Sequence, residues 1–257
     1  MRAVLAADSV TELGAAHRGA VVVAGSHGGL IAASYASRGG VHAAIFNDAG
    51  IGMDEAGVSG LAPLAALGMA AAAVSHVTAR IGDGADTLAN GIITRVNDVA
   101  AACGVQAGMP ARQAAELMRS APSPRGELAK PGEGRFEVHP GIWALDSVGL
   151  ALSEDAGRIL IFGSHGALHG GRTDSAIPVP AKVAAFHDAG AREEHLTRLP
   201  VLAARGIPAV TIATMSARIG EARSMWDTGR ISFLNAPAAA LGATPGMSLA
   251  DFLLESR

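Results

Sequence analysis

Short apolar runs, each closed by a small or acidic polar motif, alternate along the chain with amphipathic stretches. Residues 3–7 lead into Asp8-Ser9-Val10, and residues 20–24 into Gly25-Ser26-His27-Gly28. Residues 42–46 lead into Asn47-Asp48-Ala49-Gly50, residues 70–77 into Ala79-Arg80-Ile81-Gly82, and residues 91–96 end at Asn97. Continuous apolar runs capped by Gly or Asp predict strands buried on both faces. Their alternation with helical stretches predicts a mainly parallel sheet. Residues 28–37, the Leu61, Leu64 and Leu67 stripe, and residues 110–119 are the predicted helices of this half.

The same order then recurs. Asp146-Ser147-Val148, Gly163-Ser164-His165-Gly166 and Ala217-Arg218-Ile219-Gly220 each stand 138 positions after their first-half counterparts. Asp188-Ala189-Gly190 follows Asp48-Ala49-Gly50 at 140, so the register slips by two and recovers. A repeated unit of this length is a statement about fold. The expectation is an α/β protein of two tandem homologous repeats, each a mainly parallel sheet flanked by helices, related by a pseudo-twofold. Residues 1–120 form the first repeat and residues 139–257 the second. Residues 121–138 hold three prolines, three glycines and six charged residues and are the expected linker. After His165, Pro178 and Pro180 break the helix that follows His27 in the first half.

The chain has 257 residues, 49% of them apolar and few aromatic, a soluble globular composition. A net charge of −3 without a basic run argues against a nucleic-acid partner. The longest apolar stretch, residues 61–77, is interrupted by Pro63, Gly68, Ser75 and His76, and the N-terminal apolar run is too short for a secretory signal. With a single cysteine, Cys103, whose counterpart is Leu241, a cytoplasmic location is expected, with no membrane partner. Of the two lysines, Lys130 lies in the linker, which leaves only Lys182 for a Schiff base. A homo-oligomer is expected, dimers being the commonest state.

The repeated polar motifs all follow predicted strand ends. In parallel α/β sheets ligands bind beyond the carboxyl ends of strands, so motifs distant in sequence converge there. His27 and His165 are the expected general acid–base groups, oriented by Asp48 and Asp188. Ser26 and Ser164, with the Gly28 and Gly166 loop amides, are the expected donors to a developing oxyanion. Arg80 and Arg218, followed by Asp83 and Glu221, offer a planar fork for a substrate carboxylate, against which stands an internal ion pair with Asp83, Asp48 or Asp8. His76 is a further substrate-binding candidate. It faces Thr214, and Asn47 faces His187, so the copies have drifted toward either one composite site or one active and one degenerate site.

Phosphate-loop, dinucleotide, zinc-protease and nucleophile-elbow motifs are absent. His165 and His169 have i,i+4 spacing, but Gly166, Gly170 and Gly171 argue against a helix that would align them on a metal. A set of His27, Asp48, His76 and Asp83 is the remaining place for a divalent ion; no cofactor is expected. The reading is an enzyme acting on a small, anionic molecule, a hydrolase of an amide or related C–N bond. A cofactor-free lyase or isomerase uses the same groups, and a non-catalytic carboxylate-binding protein or an assembly subunit are the alternatives.

Overall fold

In a computed structural model the described residues are 2–129 and 131–256; Lys130 lies outside them. They form two compact units. The first comprises the chain up to Ile51 and Glu55–Pro131, the second Gly52–Asp54 and the chain from Gly132 onward.

The first unit is a three-layer α/β structure. Its sheet has the order β1-β2-β3-β4-β5, with β1 Val4–Ala7, β2 Val21–His27, β3 Ala43–Asn47, β4 Ala70–Val74 and β5 Ile93–Val96. The first four strands are parallel and β5 runs antiparallel to β4. Period-two alternation sends neighbouring side chains to opposite faces. Val22, Ala24, Ala44, Phe46, Ala71 and Ala73 face α1 (Leu30–Arg38) and α2 (Leu61–Ala66). Val21, Val23, Ala43, Ile45, Ala70 and Ala72 face the other way, where α5 (Ala111–Met118) buries Ala111, Ala114, Ala115 and Met118. That i, i+3, i+4, i+7 spacing is one helical stripe. Two helices that the strand pattern passed over, α3 (Gly84–Asn90) and α4 (Asp98–Ala102), are capped by Asp83 and Asn97.

The second unit has a six-stranded sheet in the order β11-β10-β9-β8-β7-β6. These strands are β6 Arg135–His139, β7 Ile142–Leu145, β8 Ile159–His165, β9 Val183–His187, β10 Ala209–Ile212 and β11 Ile231–Leu234. The strands from β7 to β10 are parallel, and β6 and β11 are antiparallel edges. Helices α6 (Arg198–Ala204), α7 (Ala222–Thr228), α8 (Ala236–Ala240) and α9 (Leu249–Glu255) flank it. Phe162 and Phe186 stack at 5.3 Å in one core layer, while Phe252, Leu249 and Met225 fill the other.

One expectation is corrected here. Residues 135–138 of the expected linker belong to β6, which runs on to His139: Arg-Phe-Glu-Val-His alternates polar and apolar side chains, and β6 closes a tight hairpin onto β7. The connection expected to link the halves is thereby confined to the residues before it. As expected from Pro178 and Pro180, no α-helix follows β8; only a 3-10 turn at Thr173–Ser175 interrupts the segment.

Candidate functional site

Within each unit the second parallel strand bulges by two residues before its histidine. In the first unit Val23 pairs with Ile45, whereas His27 pairs with Asn47. In the second, Ile161 pairs with Ala185 and His165 with His187. A glycine lies inside each bulge, where other backbone approaches closely. A Cβ on Gly25 would lie 2.4 Å from the Asp83 nitrogen and 2.7 Å from the Asp8 carbonyl oxygen. On Gly163 it would lie 2.7 Å from the Asp146 carbonyl oxygen and 3.0 Å from the Glu221 nitrogen. Three of the repeated motifs therefore meet backbone to backbone. The serines join this interlock: Ser26 Oγ accepts the Val10 N–H at 3.0 Å and Ser164 Oγ accepts the Val148 N–H at 3.0 Å. Asp8 and Asp146 accept the Gly84 and Ala222 N–H groups at the starts of α3 and α7. The serine oxygens thus serve as acceptors inside the fold. The Gly28 and Gly166 N–H groups are also spent, on the carbonyls of Asn47 and His187.

Asp48 stands one residue beyond β3, and its imidazole partner is His76, not His27. His76 Nδ1 lies 2.8 Å from Asp48 Oδ1, and the His76 backbone N–H donates to the same oxygen at 3.0 Å. The Gly50 N–H adds a third donor, and Thr94 on β5 donates its hydroxyl to Asp48 Oδ2 at 2.9 Å. Burial alone would raise the Asp48 carboxyl, but the side-chain and backbone hydrogen bonds from His76, its charge and the Thr94 hydroxyl hold it below the usual carboxylate range. An anionic Asp48 accepts from Nδ1–H, which turns Nε2 of the His76 ring away from the carboxylate. His76 is partly exposed, with 26% of its side-chain surface open, whereas Asp48 is buried. The loop after Asp48 is strained: Ala49 and Ile51 have φ of 49° and 63°. A β-branched residue there is a costly outlier of the kind that clusters at functional sites.

His27 is a second half-buried imidazole at the same sheet edge. Its Nδ1 accepts the Gly29 N–H at 3.1 Å. His27, Asn47 and Val74 are in register across β2, β3 and β4. With strands about 4.8 Å apart, the His27 and Val74 Cα atoms are roughly 10 Å apart. His76 follows two residues after Val74.

The second unit differs at this edge. Asp188 Oδ1 accepts the Gly190 N–H at 3.0 Å, as Asp48 accepts that of Gly50, but Thr214 stands where the first unit has His76. His165 is buried, with Nδ1 accepting from Ala167, and its ring lies 5.7 Å from that of His169. The Asn47 and His187 pair is not a functional divergence. Asn47 donates to the Ala79 carbonyl at 3.0 Å and accepts from Ala49 at 2.9 Å. His187 bonds the equivalent groups, Ala217 oxygen and Ala189 nitrogen, each at 3.0 Å.

Both motif arginines pair with the protein's own carboxylates. Arg80 binds Asp83 at 2.9 Å and Asp86 at 3.2 Å; Arg218 binds Asp54 at 2.6 Å and Glu221 at 3.3 Å. The arginine that the motif pattern passed over is Arg198. It is fully buried, stacked 5.2 Å from the Phe186 ring, and donates to the carbonyls of His165, Ala167, Ser175 and Ala176. Among the described residues no carboxylate pairs with it, and desolvation pushes its pKa down to about 9. It holds the carbonyls of the segment in which the second unit lacks a helix. In the first unit Gly60 takes that place: its N–H bonds the Gly28 oxygen as that of Arg198 bonds Gly166, and a Cβ there would strike Ala33 on α1 at 2.4 Å. Thr94, the other residue missed, was readable only as one more residue of a predicted strand.

Among the described residues no three His, Cys, Asp or Glu side chains gather closely enough to hold a metal ion, and no helix is long and apolar enough to cross a membrane. No protein-family model, no curated protein and no solved structure matches this chain.

Proposed function

We propose that the chain is an acid–base enzyme whose working site lies in the first unit, and that it hydrolyses an amide or related C–N bond of a small molecule. The carrying observation is the Asp48–His76 pair: a buried carboxylate gripping Nδ1 of a partly exposed imidazole at the carboxyl edge of a parallel sheet. In this reading His76 Nε2 takes a proton from water as the water oxygen bonds to the acyl carbon. Asp48 stabilises the imidazolium and keeps the tautomer. The tetrahedral adduct then expels the amine, which leaves with the proton that His76 returns. The C–N bond breaks, a C–O bond forms, and no oxidant or cofactor is required.

The second unit, with Thr214 in place of the imidazole, is a degenerate copy in this proposal. The matched motifs, matched bulges and matched Asn47 and His187 hydrogen bonds support descent of both units from one ancestor. An anionic substrate has less behind it, because Arg80 and Arg218 are already paired. The test is ammonia release from a panel of small primary amides by the full chain. Turnover should fall by about 10²–10⁴-fold in His76→Ala and Asp48→Asn, with melting temperatures within a few degrees of the parent. Equal turnover in parent and His76→Ala overturns the proposal.

A further inference from the structure

The amino-terminal edge of the second sheet carries charge that none of the repeated motifs uses. There the starts of β7, β8 and β9 border a cleft of about 380 Å³, lined at Pro140–Ile142, Gly157–Ile159 and Lys182. Gly141 and Gly157 border open space, where an added Cβ would meet nothing within 4 Å. Arg158 and Lys182 stand side by side just before the paired Ile159 and Val183, with the Lys182 N–H donating to the Arg158 carbonyl at 2.8 Å. Neighbouring strands are about 4.8 Å apart, and like charges on adjacent strands repel.

The carboxylates at hand do not balance this charge. Asp155, fully buried, gives one oxygen to both Arg135 at 2.9 Å and Arg158 at 3.0 Å. Glu137, at the rim, accepts the Gly141 N–H at 2.9 Å. Three cations, Arg135, Arg158 and Lys182, thus face two carboxylates, and the exposed Lys182 has no ion pair among the described residues. Arg158 is also held in place before any ligand arrives, by Asp155 at one nitrogen and by the Trp143 ring 5.0 Å from the guanidinium carbon. A group already ordered loses little conformational freedom on binding. The first unit differs at this edge. Ala20 and His42 stand at the places of Arg158 and Lys182, and His42 is buried against the Met118 and Ala121 carbonyls.

We infer that this cleft binds a small molecule through a phosphate group, with Lys182 and Arg158 as its anchors. Arg158 already lends Nη1 to Asp155, so a flat carboxylate does not find the whole fork free. Lysine supplies a point charge without a fixed direction, which suits the three oxygens of a phosphate monoester. Two cations also match its nearly double negative charge. The volume lies near the lower end of the range for ligand pockets, about 300–1,000 Å³, and admits a body of a few carbon atoms beyond the phosphate. Lys182 lacks the apolar enclosure that activates a Schiff-base amine, so it binds and does not react. This cleft and the Asp48–His76 pair belong to different units, and neither needs the other.

The test is an amide ¹H–¹⁵N titration of the full chain at constant ionic strength, with inorganic phosphate, glycerol phosphate, succinate and chloride as probes. Both phosphates should shift the Gly141, Gly157 and Lys182 signals saturably, with Kd in the millimolar range or tighter. Succinate should bind at least about fivefold more weakly. Lys182→Ala should weaken glycerol phosphate binding by about fivefold, and Lys182→Arg, which keeps the charge, should stay within about twofold of the parent. Unchanged signals elsewhere in the free variants show that both fold. Shifts that chloride reproduces, shifts that never saturate, succinate binding as tightly as the phosphates, equal affinity in parent and Lys182→Ala, or an equal loss in Lys182→Arg each overturn the assignment.

Discussion

The exchange of Asn47 for His187 gives the second unit a pH dependence that the first lacks at this position. His187 is fully buried, with Nε2–H donating to the Ala217 carbonyl and Nδ1 accepting from Ala189, each at 3.0 Å. Only the neutral ring makes both bonds. Desolvation lowers its pKa from 6.5; the Ala217 carbonyl and the neighbouring Asp188 charge oppose this without prevailing. The unfolded chain therefore binds the proton more readily than the folded one. Stability from this group is present above about pH 6.5 and is lost as the pH falls toward the folded-state value. Lowering the pH from 7.5 to 5.5 costs at most about 1.4 kcal/mol, the limit for a ring that charges only on unfolding. His187→Asn installs the side chain that Asn47 already uses for the same two backbone contacts and should remove that increment. Both tryptophans, Trp143 and Trp226, lie in the second unit, so fluorescence-detected urea unfolding reports on it alone. With a urea slope of about 1–3 kcal/mol/M, the pH-induced midpoint shift should be smaller in the variant, by at most about 0.5–1.4 M. Equal shifts in parent and variant would refute the reasoning, as would a variant too unstable to fold at pH 7.5.

Other consequences are testable in the same preparations. Gly25→Ala forces a Cβ to within 2.4 Å of the Asp83 backbone nitrogen and should cost about 3 kcal/mol, whereas Gly14→Ala, in open space at φ −154°, should change stability by less than about 0.5 kcal/mol; thermal unfolding of both decides it. Arg198→Lys replaces a planar fork reaching four carbonyls with a single ammonium and should destabilise by about 2–3 kcal/mol, read as a lower urea midpoint of the tryptophan signal.

Much of the fold was legible because buried strands are written as uninterrupted apolar runs. The runs at residues 3–7, 20–24, 42–46, 70–77 and 91–96 became β1 to β5 with ends displaced by only a few residues. The main displacements are systematic: β2 and β8 continue through Gly-Ser to the histidine, since a bulge keeps the polar motif in the ladder. The site was legible in its members but not in its pairings. Asp48 and His76 were both singled out, yet Asp48 was assigned to His27, because sequence places the motifs at strand ends without saying which ends touch. The drift from Asn47 to His187 looked chemical and is an isosteric swap, which only hydrogen-bond partners reveal. Arg198 sat inside a leucine stripe, Leu196, Leu199 and Leu202, where periodicity masks a polar residue. β6 had its own signal, strict alternation over five residues, outweighed by the prolines and glycines before it.

The place shared by Gly60 and Arg198 carries an evolutionary consequence. A helix after β8 like the one after β2 needs the volume that Arg198 fills, and Arg198 needs the carbonyls that such a helix would turn to its own use. Neither substitution is tolerable by itself, so position 198 and residues 167–181 are epistatic. In any lineage that carries this chain they should change together or not at all.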